Sequence, residues 1–339
     1  MKKLTLQDIA SQLNISKATV SIVLNGHGDE KRVSKATQER IIQFAREKNY
    51  RANHLARGLS LGRSDTIGLI VPNIGDIYFA RIARRIESKA RRSGYNVVYS
   101  SSGESGERES ELIHTMLSRG VDGLIIASSQ KNREEILKLK EIRFPFVLID
   151  RFYPEIETNF VVEDNKGGAA QATKQLLKTG RKRIGFVTLK DDLEVLHQRL
   201  EGYRHTMQQN GIPVEDNWVG KLDYEYAESD MLEQIRTLVS APAKLDGIVF
   251  ATHFLAASGM RALKELQVRI PEDIALVSFG QMSAFDLTEP PVTSVAQPLD
   301  ELGDRAVEIL LENLGGGITD HRREILNNRL EIRKSCGTI

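Results

Sequence analysis

Residues Thr5 to Gly26 read TLQDIASQLNISKATVSIVLNG, and the rest of the chain is best understood outward from them. Thr5 is placed to cap a helix, with Asp8 three residues on to complete a capping box. Leu6, Ile9, Ala10 and Leu13 fall on one apolar face of that helix. Asn14 tolerates the left-handed conformation common just beyond a helix, and Ile15 plugs the corner that follows. Ser16 then opens a second helix, Lys17 to Leu24. Its Val20, Val23 and Leu24 turn inward, leaving Lys17, Ala18, Thr19, Ser21 and Ile22 to a partner. Such a pair is either an ordinary helical hairpin or a helix-turn-helix that lays its second helix in the major groove of DNA. Short hydroxyls and a lysine at the start of that helix suit DNA, because they donate to phosphates and let the backbone approach base edges.

The charge distribution sharpens the choice. The 339-residue chain has a net charge of only +1, but its first 63 residues hold 12 Lys plus Arg against 5 Asp plus Glu, a net +7. The remaining 35 basic and 41 acidic residues give −6. A small basic head on a larger acidic body is the pattern of a polyanion-binding module joined to a separate domain. Ser34 caps a third helix through Lys48, with Ile41, Ile42 and Ala45 inside, and Arg51 to Arg63 (RANHLARGLSLGR) follows as a short basic linker.

From Asp65 onward strands and helices alternate, which implies parallel sheets covered by helices. TIGLIV (66–71), 95–100, DGLIIA (122–127) and FPFVLI (144–149) read as strands of a first run, with helices at 77–93, 107–119 and 132–140. After Val161 and Val162 a second run holds strands RIGFVT (183–188), DGIVFA (246–251) and IALVSF (274–279), with helices at 164–179, 193–210, 224–240 and 253–267. DGLIIA and DGIVFA look like equivalent strands of two similar lobes. VTSVAQ (292–297), the helix from Pro298 to Leu314 and the segment Arg323 to Ile332 are expected to cross between them.

These motifs carry a resemblance. Leu4 to Leu59 resembles the DNA-binding head of the LacI/GalR family of bacterial transcription regulators: TLQDIA, ISKATVS, VLNG, VS.AT..RI and NYR.N.LARGL occur together in that order. The family has a periplasmic-binding-protein-like core, so the resemblance implies a helix-turn-helix head at 1–51, a hinge helix and linker at 52–64, and a bilobed α/β core at 65–339. The first lobe is expected at about 65–162 plus 293–322, and the second at about 163–292 plus 323–339. By the same resemblance Lys17 and Ala18 read bases, and Thr5, Ser16, Thr19, Ser21 and Asn25 contact phosphates, with Leu6 in the same interface. Ile22 stands where the family often has a base-reading polar residue, and must meet a thymine methyl or stay out of contact. Leu59 matches the family's minor-groove wedge, with Asn53, Ala56 and Arg57 beside it, although Leu55 and Leu59 also suit the core face of a short helix. Ala52 replaces the family's usual proline, and Gly58 lies within the hinge, so this helix should be hard to order away from DNA.

Ligands of open parallel sheets bind beyond the carboxyl ends of the strands. Those ends are Asn73 and Asp76, Ser101 and Ser102, Ser128 and Ser129, Asp150 and Arg151, Lys190 and Asp191, Thr252 and His253, and Gly280 and Gln281. Such hydrogen-bonding ends suit a polyhydroxylated effector, with Tyr78, Phe79 or Tyr224 against its apolar face. The resemblance points to Tyr78, Phe79, Asp150, Arg151, Tyr224 and above all Arg199 in RLEGY, whose guanidinium offers several fixed donors. Thr252-His253 and Gly280-Gln281 replace the Asn-Asp and Asp of many family members. With Arg151, Arg199 and His253 this tilts the expectation toward a sugar acid or sugar phosphate. Asp76, Ser128, Thr252, His253 and Gln281 complete the effector set.

The expected function is a sequence-specific transcriptional regulator, a repressor in the leading reading, that binds a palindromic operator as a homodimer under control of a sugar, sugar acid or sugar phosphate. Two other readings are an enzyme acting on such a ligand with an accessory head, and an architectural binder that bends DNA without reading it. No GxGxxG, P-loop or metal spacing of histidines supports the enzyme, no strand-to-helix turn presents a serine nucleophile, and no cofactor is implied. The single cysteine, Cys336, suits a reducing cytosol, and no apolar run approaches the about 18 residues of a membrane span. No leucine-heptad tail follows Ile332, so a dimer is expected and not a coiled-coil tetramer.

Overall fold

The computed structural model describes residues 4–48, 50, 63–316 and 321–338. It divides into two compact units, Met1–Ser64 and Asp65–Ile339. Asn53, Ala56, Arg57 and Leu59, the hinge candidates, lie outside the described residues.

The first unit is built from α1 (Leu6–Leu13), α2 (Lys17–Leu24) and α3 (Lys35–Glu47). Thr5 and Asp8 form the reciprocal capping box, and Asn14 closes α1 at φ 55°, ψ 47°. Ser16 and Ser34 cap α2 and α3 by accepting from Thr19 N and Thr37 N. Ile9, Ala10, Val20, Val23 and Ile41 form the buried centre, with Leu6, Leu13, Ile15 and Leu24 packed around it. Arg40 of α3 donates to the Leu13 carbonyl at 3.0 Å, which satisfies one of the carbonyls left open where α1 ends.

The second unit contains two sheets of six strands. The first sheet, in the order β11-β5-β4-β3-β1-β2, holds β1 (Thr66–Val71), β2 (Asn96–Ser101), β3 (Gly123–Ile126), β4 (Phe146–Ile149), β5 (Phe160–Glu163) and β11 (Arg323–Leu326), all parallel. Helices α4 (Ile77–Arg92), α5 (Gly106–Ser118), α6 (Arg133–Glu141) and α11 (Leu299–Leu314) cover it. The second sheet, β12-β10-β9-β8-β6-β7, holds β6 (Ile184–Leu189), β7 (Val219–Leu222), β8 (Gly247–Phe250), β9 (Ala275–Phe279), β10 (Ser294–Ala296) and β12 (Arg329–Glu331). Its one antiparallel pair is β10 with β12. Helices α7 (Asn165–Lys178), α8 (Glu194–Gln209), α9 (Ala227–Val239) and α10 (His253–Glu265) pack on this sheet.

Two of the expected lobe boundaries move. VTSVAQ does not begin the return to the first lobe: β10 pairs with β9, so the crossing follows at 297–299. Conversely β11 pairs with β5, and the last crossing follows Leu326 instead of preceding Arg323. A short strand's sheet is fixed by which edge is open to it, and a pattern of alternating residues does not encode that. For the same reason β5 and β7, only four residues each, did not stand out as strands. The helix expected from 224 starts at Ala227, which leaves Tyr224 in the preceding turn.

Candidate functional site: a polar cleft between two sheets

In each sheet the order reverses once, between β1 and β3 and between β6 and β8. Chain segments diverge from such a switch point and leave a crevice beyond the carboxyl ends. The two crevices face each other across a cleft of about 140 Å³, lined by Asn73, Asp76, Tyr78, Phe79, Glu104, Asp150 and Arg151 from the first lobe. Asp191, Leu193, Leu196, Arg199, Tyr224, Thr252, His253, Phe254, Phe279 and the crossing residue Gln297 line it from the second.

Arg199 is held by three hydrogen bonds. Its Nε donates to Asn165 Oδ1 at 2.7 Å, Nη1 to the Ala251 carbonyl at 2.9 Å and Nη2 to Glu163 Oε1 at 2.9 Å. The guanidinium lies 3.9 Å from the centre of the Phe279 ring. It reaches this position because α8 packs tightly on α7. A methyl group at Gly202 would collide with the Lys166 carbonyl, so the glycine of RLEGY sets the depth of the arginine one turn before it. Glu163 ends β5 and also accepts from Gln297, which joins both lobes at the crossings. Its Oε2 finds no hydrogen-bond partner among the described residues. Burial pushes the Glu163 carboxyl up to about 7, against the pull of Arg199.

On the first lobe Tyr78 donates to Asp150 Oδ1 at 2.6 Å. Asp150 sits at φ 63°, in the left-handed region, which turns its side chain under α4. Burial raises the carboxyls of Asp150 and Glu109 above the usual carboxylate range. Arg151 engages Glu104 through both oxygens, at 2.6 Å from Nη1 and 2.8 Å from Nη2, and also reaches the Ser128 carbonyl at 3.4 Å. Its Nε stands 3.4 Å from Asp150 Oδ2. Across the cleft His253 Nε2 is 3.5 Å from Asp76 Oδ1, and burial lowers the imidazole's affinity for a proton. Gln130 adds a second bridge between the lobes by accepting from Glu194 N at 3.0 Å.

Most of the expected effector residues meet here: Asp76, Tyr78, Phe79, Asp150, Arg151, Arg199, Tyr224, Thr252 and His253. Two do not. Ser128 is buried behind the cleft, donating to Glu109 Oε1 at 2.9 Å and lying 3.1 Å from the Tyr153 hydroxyl. Gln281 lines a small neighbouring recess with Tyr78, Arg81, His253 and Gln297. The residue before it, Gly280, stands in place of the family's aspartate at φ +79°, a strained conformation for an L side chain, and a Cβ there would come within 2.9 Å of Gln297 Oε1 and push that side chain aside. Glu104, Glu163 and Gln297, which also shape the site, sit on a loop, a short strand and a crossing that carry no local signature, and Phe279 ends a strand whose pattern marks it only as core. The expected leaning toward an acidic ligand also loses its support. Glu104 and Asp150 flank Arg151, and Glu163 holds Arg199, so neither guanidinium is short of a carboxylate.

In the head, Thr5, Ser16, Lys17, Ala18 and Asn25 are exposed, whereas Leu6, Thr19, Ser21 and Ile22 are half-buried. Ser16 Oγ lies 2.8 Å from Thr19 Oγ1, and Asn25 Nδ2 donates to the Ser21 carbonyl at 2.8 Å.

The family model described as bacterial regulatory proteins, lacI family, matches residues 5–53, and the periplasmic binding protein-like domain matches 173–336. The chain belongs to the LacI family. Catabolite control protein A of Priestia megaterium is 29% identical over 332 residues, covering 98% of both chains. Among solved structures, the transcriptional regulator CelR in complex with cellobiose is 27% identical with a TM-score of 0.73, over 98% of this chain and 100% of that one. The lac repressor dimer bound to operator and an anti-inducer shares the fold over 99% of both chains, with a TM-score of 0.87 at 24% identity. This LacI-family protein is a DNA-binding transcriptional regulator, and the alternative of an enzyme falls. Among the described residues, no helix is long and apolar enough to cross a membrane.

Proposed function

We propose that this regulator is a repressor that binds a palindromic operator as a homodimer and responds to an uncharged sugar held in the cleft. The charge matching of the cleft carries this reading. A neutral polyol exchanges hydrogen bonds with Asp76, Asp150, Arg199 and Gln297 without adding net charge, and Tyr224 and Phe254, with ring centres 5.7 Å apart, wall its apolar face. The cellobiose complex of CelR supports a sugar as ligand class.

On the DNA side, Lys17 and Ala18 with Ile22 address base edges, while Thr5, Leu6, Ser16, Thr19, Ser21 and Asn25 seat the head on the backbone. Asn53, Ala56, Arg57 and Leu59 of the linker complete the contact from the minor groove. One recognition helix reads only a few base pairs, so pairing two heads on a symmetric site supplies the missing contacts. The head at 1–51, the linker at 52–64 and the core at 65–339 divide the labour accordingly, in the cytoplasm where the operator lies. Sugar binding favours one lobe arrangement, and operator affinity shifts by the ligand's preference for that state.

Selection of bound duplexes from a random pool, with and without a panel of neutral sugars, sugar acids and sugar phosphates, tests the reading. A palindrome whose enrichment changes with one neutral sugar is expected. Enrichment that responds only to an acid or phosphate overturns the ligand class, and a pool without sequence preference favours the architectural reading.

A further inference from the structure

Glu104 has a position and a pairing that the sugar reading alone does not require. It lies in the loop between β2 and α5 at φ 60°, a left-handed conformation that costs a non-glycine residue energy. That conformation turns its carboxylate into the cleft wall, where it closes a two-pronged pair with Arg151 at 2.6 and 2.8 Å. The pair is lopsided: the Arg151 side chain is 8% exposed and that of Glu104 31%. The carboxylate is the more accessible partner of the pair, and both side chains line the cleft. The Arg151 Nε is buried 3.4 Å from Asp150 Oδ2 and finds no hydrogen-bond partner among the described residues, and Nη1 also reaches the Ser128 carbonyl, so the Nη1–Nη2 edge that a ligand anion would grip is the edge Glu104 already holds.

We propose that Glu104 is the specificity determinant that fixes the charge of the effector: by filling the fork of Arg151 it reserves the cleft for uncharged sugars and shuts out sugar acids and sugar phosphates. A planar guanidinium is the side chain best shaped to grip a carboxylate or phosphate, and here an internal carboxylate already occupies that grip. An anionic ligand would have to displace Glu104 or lie beside it, and Asp76, Asp150 and Asp191 around the same cleft repel it further. Glu104 thus acts on the ligand both directly and by silencing Arg151. The inference rests on the cleft being a sugar site.

The test uses the full-length protein and Glu104→Gln, which keeps the shape and loses the charge, with Glu104→Asp retaining the charge. Glucose, ribose and cellobiose are titrated beside gluconate, ribose 5-phosphate and glucose 6-phosphate. Inorganic phosphate serves as a minimal probe of the Arg151 fork in thermal melts. The parent is expected to bind a neutral sugar and reject its anionic counterparts. Glu104→Gln should shift the ratio of anionic to neutral affinity by tenfold or more toward the anion, and phosphate should raise its Tm. Glu104→Asp should keep the parent's rejection of anions. Binding of neutral sugar with an unchanged ratio in Glu104→Gln overturns the filter while leaving the sugar reading intact. Binding of an anionic sugar by the parent in preference to a neutral one overturns both. If neither parent nor variant binds any of the sugars, the sugar reading falls and the filter with it, whatever phosphate does to the melts.

Discussion

At the scale of single residues, the decisive feature is that the two arginines of the cleft are held by carboxylates before any ligand arrives. Arg199 is more than a donor to an effector, because it neutralises Glu163, which is fully buried. Removing it leaves an unpaired buried acid, a change that costs about 3–5 kcal/mol where such pairs have been broken. Arg199→Ala is expected to lose both the response to sugar and a large part of the core's thermal stability, and adding Glu163→Gln should restore much of the stability. Simple addition of the two losses in a double-mutant cycle would show that they are not coupled.

Glu163 also makes a pH prediction. Its folded value of about 7 lies above the ordinary 4.5, so the native state holds the proton more tightly than the unfolded chain does. The stability this contributes is complete below pH 4.5 and is lost as pH rises to about 7. Asp150 and Glu109, also raised by burial, act in the same direction. The Tm should therefore fall between pH 5 and 7.5, and Glu163→Gln should flatten that slope; an equal slope in the variant would place the titrating group elsewhere.

At the scale of elements, two local devices position the functional surfaces. Ser16 accepts from Thr19 N at 3.0 Å and so starts the recognition helix. Ser16→Ala should weaken that helix by about 1 kcal/mol, seen as roughly fivefold faster hydrogen exchange in its first turn together with weaker operator binding. Unchanged exchange would mean that packing of Val20 and Val23 alone holds the helix start. In the core, Gly202 permits the close crossing of α7 and α8. Gly202→Ala should cost about 1–3 kcal/mol through overpacking and should displace Arg199, so that sugar affinity falls along with Tm. Lower Tm with full affinity would separate the packing from the site.

Much of the element level was legible because its signals are local. Caps, a left-handed asparagine and apolar spacing specify the head, and buried runs such as TIGLIV and DGIVFA announce the central strands. The polar residues just after those strands were legible as a site because parallel sheets open there. Ser128 shares that position in the sequence but turns back to Glu109, and no sequence pattern separates the two directions. Glu104 and Gln297 were invisible for the opposite reason: they lie on a loop and a crossing, and reach the cleft only when distant segments meet.

At the scale of the whole molecule, the lobes of the core are linked by their crossings and by contacts across the cleft. Gln130 bonds Glu194 N from the opposite lobe and donates to the Phe152 carbonyl at 2.7 Å within its own. Gln130→Ala should loosen the contact between the lobes and weaken sugar binding by roughly fivefold, the effect of about 1 kcal/mol for one net hydrogen bond. Titration of the variant checks this, and unaltered affinity would mean that the Glu163, Arg199 and Gln297 cluster and the His253–Asp76 contact hold the lobes without it. The sequence by itself determined a basic helix-turn-helix head, an alternating α/β core and the polar strand ends where a ligand sits, because caps, periodicity and charge are short-range properties of the chain. Only the tertiary structure decided which sheet each short strand joins, which polar ends face the cleft and which carboxylate holds each arginine. Edge pairing and charge pairing join residues far apart in sequence, and the balance of charge that a ligand meets exists only once those residues are in contact.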